Sequence, residues 1–87
     1  MSNILRVARN IDFHQLIRVS DAILHSHSTM VVQARGKQIQ RAIEVMCVLQ
    51  VQSKASFEDV QISYIVVDNG SHIPSFSARL KSILFDI

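Results

Sequence analysis

Val31-Val32-Gln33-Ala34-Arg35-Gly36-Lys37-Gln38-Ile39-Gln40-Arg41-Ala42-Ile43-Glu44-Val45 joins an apolar run to an amphipathic one through Arg-Gly-Lys. The first part reads as a buried strand and the second as the opening of a helix. Three cations, Arg35, Lys37 and Arg41, fall within seven positions, with no acid before Glu44. A glycine at a strand-to-helix turn lets the backbone approach a phosphate closely. The first free N–H groups of the helix add partial positive charge there. The stretch reads as an anion-binding corner on a small α/β domain, and a nucleic-acid backbone is the expected anion.

Working outward, Met30 to Ala34 is apolar except for Gln33, which suits a central strand covered on one or both faces. Upstream, Ile4 to Ala8 reads as a strand. Asp12-Phe13-His14-Gln15 matches a capping box, and Phe13, Leu16, Ile17, Ile23 and Leu24 recur at helical spacing, so a first helix is expected to about His25. Downstream, the second helix runs from near Lys37 to about Ser53, with Ile39, Ala42, Ile43, Met46 and Leu49 in one stripe. Val45, Val48 and Val51 carry apolar surface onto another face, which fits either a deeper core or a dimer contact. Lys54 to Asp59 reads as a turn, Val60 to Val67 as a strand, and Asp68 to Pro74 as a loop. Phe76 to Phe85 opens with alternation: Phe76, Ala78 and Leu80 on one face, Ser77, Arg79 and Lys81 on the other. The order is β-α-β-α-β-β.

The 87 residues suffice for one domain, 1–87, with a modest core. Hydrophobic residues make up 48% and charged ones 18%, a surplus of apolar surface that suggests self-association. The net charge is only +2, so any nucleic-acid contact is a local patch. Cys47, the single cysteine, excludes an internal disulfide and a cysteine-based zinc site, and its apolar helical setting reads as a buried thiol. The opening MSNILRVARN carries no long apolar segment and no run approaches a membrane span, so a cytoplasmic protein with no membrane partner is expected.

Candidate chemistry concentrates on cations. Lys37 and Arg41 are four apart and share a helix face. Arg35 precedes the turn glycine, and Arg9 ends the first strand. If the first two strands are parallel, their ends lie at one edge and the two arginines are neighbours. Such a cluster can neutralise phosphate without strict geometry, and the same spacing also fits a solvated cationic face. Arg79 and Lys81 form a second candidate on a strand of the ribbon kind that enters DNA grooves, or serve as ordinary solubilising charge. His25 and His27 make a poor metal site without a nearby carboxylate or cysteine. No nucleophile motif, phosphate loop or Cys-His pairing is present, so neither catalysis nor a cofactor is expected.

Ala34-Arg35-Gly36-Lys37-Gln38-Ile39-Gln40-Arg41-Ala42-Ile43-Glu44-Val45 resembles the signature of the Alba (Sac10b) superfamily, Ala-Arg-Gly-basic-x-Ile-x-Arg-Ala-(Ile/Val)-(Asp/Glu)-Val. The element order fits from about Ile4 to Phe85. The resemblance implies an α/β (α+β) two-layer sandwich. A four-stranded mixed sheet would be packed by two helices, as in the C-terminal domain of bacterial translation initiation factor three. It implies a dimer that binds double-stranded DNA or RNA with little sequence preference, as archaeal chromatin proteins do. Eukaryotic relatives act on RNA, some of them in RNase P-like particles. By motif position Arg35, Gly36, Lys37 and Arg41 would meet the phosphate backbone, with Arg9, Arg79 and Lys81 in support.

Two departures stand out. The family often carries a lysine pair after strand one, where this chain has Arg9-Asn10-Ile11-Asp12. The family's long basic β3–β4 arm is matched here only by an expected short loop, Asp68 to Pro74. Both predict weaker DNA binding. They also leave room for a heterodimer, an RNA-binding subunit of a ribonucleoprotein, or a protein-interaction module with little nucleic-acid affinity.

Overall fold

Alternation along Thr29–Arg35 organises the molecule: Met30, Val32 and Ala34 are buried, while Val31, Gln33 and Arg35 face the other way. The computed structural model describes residues 2–85. Its elements are β1 (Ile4–Arg6), α1 (Phe13–Ser26), β2 (Thr29–Arg35), a 3-10 turn (Gly36–Gln38), α2 (Ile39–Val51), β3 (Ala55–Val66) and β4 (His72–Ser82). The sheet order is β1-β2-β4-β3, with β1 parallel to β2 and the other pairs antiparallel. The four-stranded mixed sheet with two helices is thus as expected.

Both helices cover one face. Leu16, Ile23 and Leu24 of α1 and Ala42, Val45 and Leu49 of α2 are almost fully buried. They close over Leu5, Met30, Val32, Phe76, Ala78 and Leu80 of the sheet. Burying each large apolar side chain contributes about 1.5–3 kcal/mol. Ser20 is also buried, and its hydroxyl donates to the Leu16 carbonyl at 2.7 Å, so it leaves no open polar group. Asp12 caps α1 by accepting from the His14 N–H at 3.2 Å. At the far end Lys54 Nζ lies 2.8 Å from Asp21 Oδ1, joining α1 to the start of β3.

Three expectations need correction. The turn expected over Lys54 to Asp59 is only Gln52 to Lys54, closed by Ser53 at φ 57. Ala55 onward already pairs with β4, from Ala55 opposite Ser82 to Val66 opposite His72. A register shift between Phe57 and Asp59 leaves Glu58 as the extra residue and pairs Asp59 with Arg79, so the Glu58-Asp59 pair that resembles a turn in sequence lies within the strand. Likewise the loop over Asp68 to Pro74 shrinks to Val67–Ser71, with Gly70 at φ 81 and Gly70 N–H donating to the Val67 carbonyl at 2.9 Å. β2 pairs with β4 only as far as Arg35 opposite Ser75. Residues 72–74 therefore form an open edge there, where Pro74 costs no ladder bond on the β2 side. Where a short loop was expected, β3 and β4 run on past the end of β2 as an overhanging two-stranded ribbon. The third correction is Cys47, which is exposed. The buried stripe of α2 is rotated toward Val45, and Ile43, Cys47 and Val51 stand outside it. Of the second apolar face expected on α2, Val45 is buried in the core, Val48 is half-buried and Val51 is exposed, so the deeper-core reading holds at Val45 and fails at Val51.

Candidate nucleic-acid interface

The turn at Gly36 assembles the cationic corner. Gly36 sits at φ 55, and a Cβ there would meet Ile73 Cγ2 at 3.4 Å. Glycine thus lets β2 pass into α2 beneath the start of β4. Because β1 and β2 are parallel, with Arg6 opposite Gln33, the chain leaving β1 and the turn leaving β2 lie at the same end of the sheet. Arg9, Arg35 and Lys37 are exposed there. Among the described residues none of the three forms an ion pair.

Arg41 differs from the other cations. Its guanidinium donates to the carbonyls of Ala8 at 3.0 Å, Arg9 at 3.5 Å, and Ile11. One half-buried fork thereby fixes the segment that follows β1 and holds Arg9 against α2. The three N–H groups spent on carbonyls make Arg41 first a positioning group for the corner. Sequence spacing placed Arg41 in the cluster but could not show that its donors are taken.

Arg79 and Lys81 lie on the sheet face away from the helices, as their alternation with Ala78 and Leu80 requires. Arg79 Nε stands 3.4 Å from Glu58 Oε2, and its Nη2 is 4.0 Å from Asp59 Oδ2. The sequence places these acids in a turn; on β3 they flank Arg79 and partly offset its charge. Lys81 is exposed, between Thr29 and Ser56 in register. The structure therefore brings Arg9, Arg35, Gly36, Lys37 and Arg41 together, and leaves Arg79 and Lys81 farther along the sheet.

Sequence reading missed the arm. Ile62 is 72% exposed, Tyr64 73% and Val66 63%. Ile62 pairs with buried Phe76, so all three side chains fall on the helix-bearing side of the sheet. The rings of Tyr64 and His72 meet edge to face, with centroids 5.9 Å apart. Arg41 marks the flank of α2 that faces α1. Ile43 and Cys47 stand on the opposite flank, toward β3, by 100° per residue. Phe57, opposite buried Leu80, lies on the same side of the sheet. Ile43, Cys47, Phe57, Ile62, Tyr64 and Val66 are thus exposed apolar side chains that the core leaves uncovered among the described residues. The alternation Val60-Gln61-Ile62-Ser63-Tyr64 was their one sequence signal.

A mixed sheet in this order, both helices on one face and a projecting β3–β4 hairpin, makes the Alba fold. Two solved structures share it. One is Alba1 from Trypanosoma brucei, with a TM-score of 0.82, 18% identity, and coverage of 92% of this chain and 68% of that one. The other is Alba from Thermoplasma volcanium, with a TM-score of 0.75, 18% identity, and coverage of 90% and 98%. At this identity the likeness concerns the fold. No protein-family model matches the chain. No curated protein matches it in sequence either.

Proposed function

We propose that this protein binds nucleic acid through the phosphate backbone, with little sequence preference, as a dimer of this chain. The observation that carries the reading is the corner itself: Arg9, Arg35 and Lys37 exposed around the Gly36 turn, with Arg41 fixing the loop beneath them. The Alba fold supports it. Binding would proceed by phosphate neutralisation and counterion release, with no cofactor and no catalytic step. Duplex DNA and RNA are both candidate partners, and a cytoplasmic or chromosome-associated location fits either.

The dimer is supported by the apolar face of α2 and the arm, which the core leaves uncovered. A second reading rests on the same surface. Between Val60 and Ala78 the chain has no lysine or arginine. An arm so apolar suits a protein contact, and the partner would then be a different chain within a ribonucleoprotein.

Fluorescence anisotropy with labelled duplex DNA, double-stranded RNA and single-stranded RNA, across salt concentrations, tests the proposal. With three cations from each protomer, affinity should fall about a thousandfold between 50 and 200 mM salt. The Arg35→Ala/Lys37→Ala variant should stay folded and lose binding. Absence of binding at low salt from a folded dimer would overturn the homodimeric reading.

A further inference from the structure

The face of the sheet away from the helices is hollowed where β1 ends. A half-open recess of about 430 Å³ has Arg6, Gln33, Arg35, Gln38, Ser75 and Ser77 as its polar lining, over an apolar floor that includes Phe76. Its volume falls in the range of small-ligand sites. The register explains its composition. Arg6 stands beside Gln33 on the neighbouring strand, and Gln33 beside Ser77 on the next. Arg35 lies one pleat beyond Gln33, beside Ser75. Strand spacing and rise place the Arg6 and Arg35 backbones about 8 Å apart on one face, within reach of a shared anion. The lining has two guanidiniums and no carboxylate. Among the described residues neither arginine has an ion-pair partner.

A second observation points to a ligand. Gln38 Oε1 is buried and has no hydrogen-bond partner among the described residues. Buried acceptors in folded proteins ordinarily have one. Gln38 lines the recess, so a turn of its side chain would bring this oxygen to a donor there. Inorganic phosphate also carries a P–OH donor at neutral pH, so it is the recess volume of about 430 Å³ that argues for a ligand larger than the ion. A hydroxyl or amine carried on the same ligand has the right chemistry.

We propose that this recess binds a phosphomonoester of mononucleotide size. The terminal phosphate would lie between the Arg6 and Arg35 guanidiniums, and a sugar hydroxyl or base amine would donate to Gln38 Oε1. A phosphomonoester carries about −1.5 to −2 charge at neutral pH, which two arginines match, and guanidinium–phosphate pairing is bidentate. A backbone diester carries one charge. The same chemistry has two sources, a free nucleotide and the phosphorylated end of a strand. The site shares Arg35 with the proposed nucleic-acid surface, but its other groups lie outside that surface.

Titration of the 15N-labelled protein with AMP, with inorganic phosphate, and with a short oligonucleotide bearing a 5′-phosphate or a 5′-hydroxyl tests it. AMP should shift the Gln33 and Gln38 side-chain amides and bind at least tenfold more tightly than inorganic phosphate. Arg6→Gln should weaken AMP at least tenfold and leave duplex affinity within twofold. Lys37→Ala should do the reverse, so failure of the recess and failure of the backbone reading are told apart. A 5′-phosphate preference lost in Arg6→Gln assigns the strand end; AMP binding without that preference assigns the free nucleotide. If millimolar AMP leaves both amides unmoved, or Arg6→Gln and Lys37→Ala weaken it equally, the proposal is wrong.

Discussion

Arg41→Met separates a cation that builds the corner from one that meets a phosphate. The guanidinium reaches three carbonyls, of Ala8, Arg9 and Ile11. Ala8 and Arg9 are exposed, so water can take over those two bonds and their loss costs little. The Ile11 carbonyl belongs to a half-buried residue, and a bond to it from a charged donor is worth about 1.5–3 kcal/mol. We expect Arg41→Met to lose about 2 kcal/mol in urea denaturation. For a domain of this size that lowers the melting temperature by about 8–16 °C. Hydrogen exchange should localise the loosening to residues 8–12. Arg41→Lys keeps the charge but not the fork, so it should lose most of the same stability and keep most of the nucleic-acid affinity. The reasoning is refuted if Arg41→Met holds its stability within about 0.5 kcal/mol while its affinity falls as far as that of Lys37→Ala.

Two further substitutions test the framework around the site. Gly36→Ala places a side chain at φ 55 and 3.4 Å from Ile73, and should cost about 1–2 kcal/mol by chemical denaturation. A neutral result would mean the turn relaxes out of the left-handed region. Asp21→Asn leaves Lys54 without its carboxylate at a partly buried position and should cost about 1 kcal/mol. Comparing unfolding at low and high salt checks the cause, because an electrostatic loss must shrink as salt rises.

The middle of the chain was legible because its local signals agree. Asp12 is a good cap, α1 has a single apolar stripe, and Met30 to Ala34 is an apolar run of strand length. What was misread lies at both ends of β3, for two physical reasons. Glu58 and Asp59 look like turn residues, yet they sit on an edge strand where both carboxylates reach water and one arginine. Pro74 and Gly70 punctuate the sequence like a long loop, yet only Gly70 needs a left-handed backbone, and Pro74 occupies a stretch with a free edge. Cys47 and Ile43 were placed inward because an apolar residue on an amphipathic helix usually belongs to its own core. In this fold some of them are left for a second surface. The recess was illegible for another reason: Arg6 and Gln38 meet only through the parallel register of β1 and β2.

Charge and apolarity are divided between the body and the arm, and that division can be tested in one variant. The exposed corner cations are all on the body, and no lysine or arginine lies between Val60 and Ala78. If the arm joins two copies, Ile62→Lys/Val66→Lys should release monomers in sedimentation, since it buries two charges in an apolar contact. Each monomer would keep its own Arg9, Arg35 and Lys37. The slope of log affinity against log salt on duplex DNA should then drop from about −5 to about −3, as six phosphate contacts become three. Had the arm been the nucleic-acid contact, two added lysines would instead tighten binding and steepen that slope. A variant that stays dimeric and binds more tightly would therefore move the arm from the protein interface to the phosphate backbone.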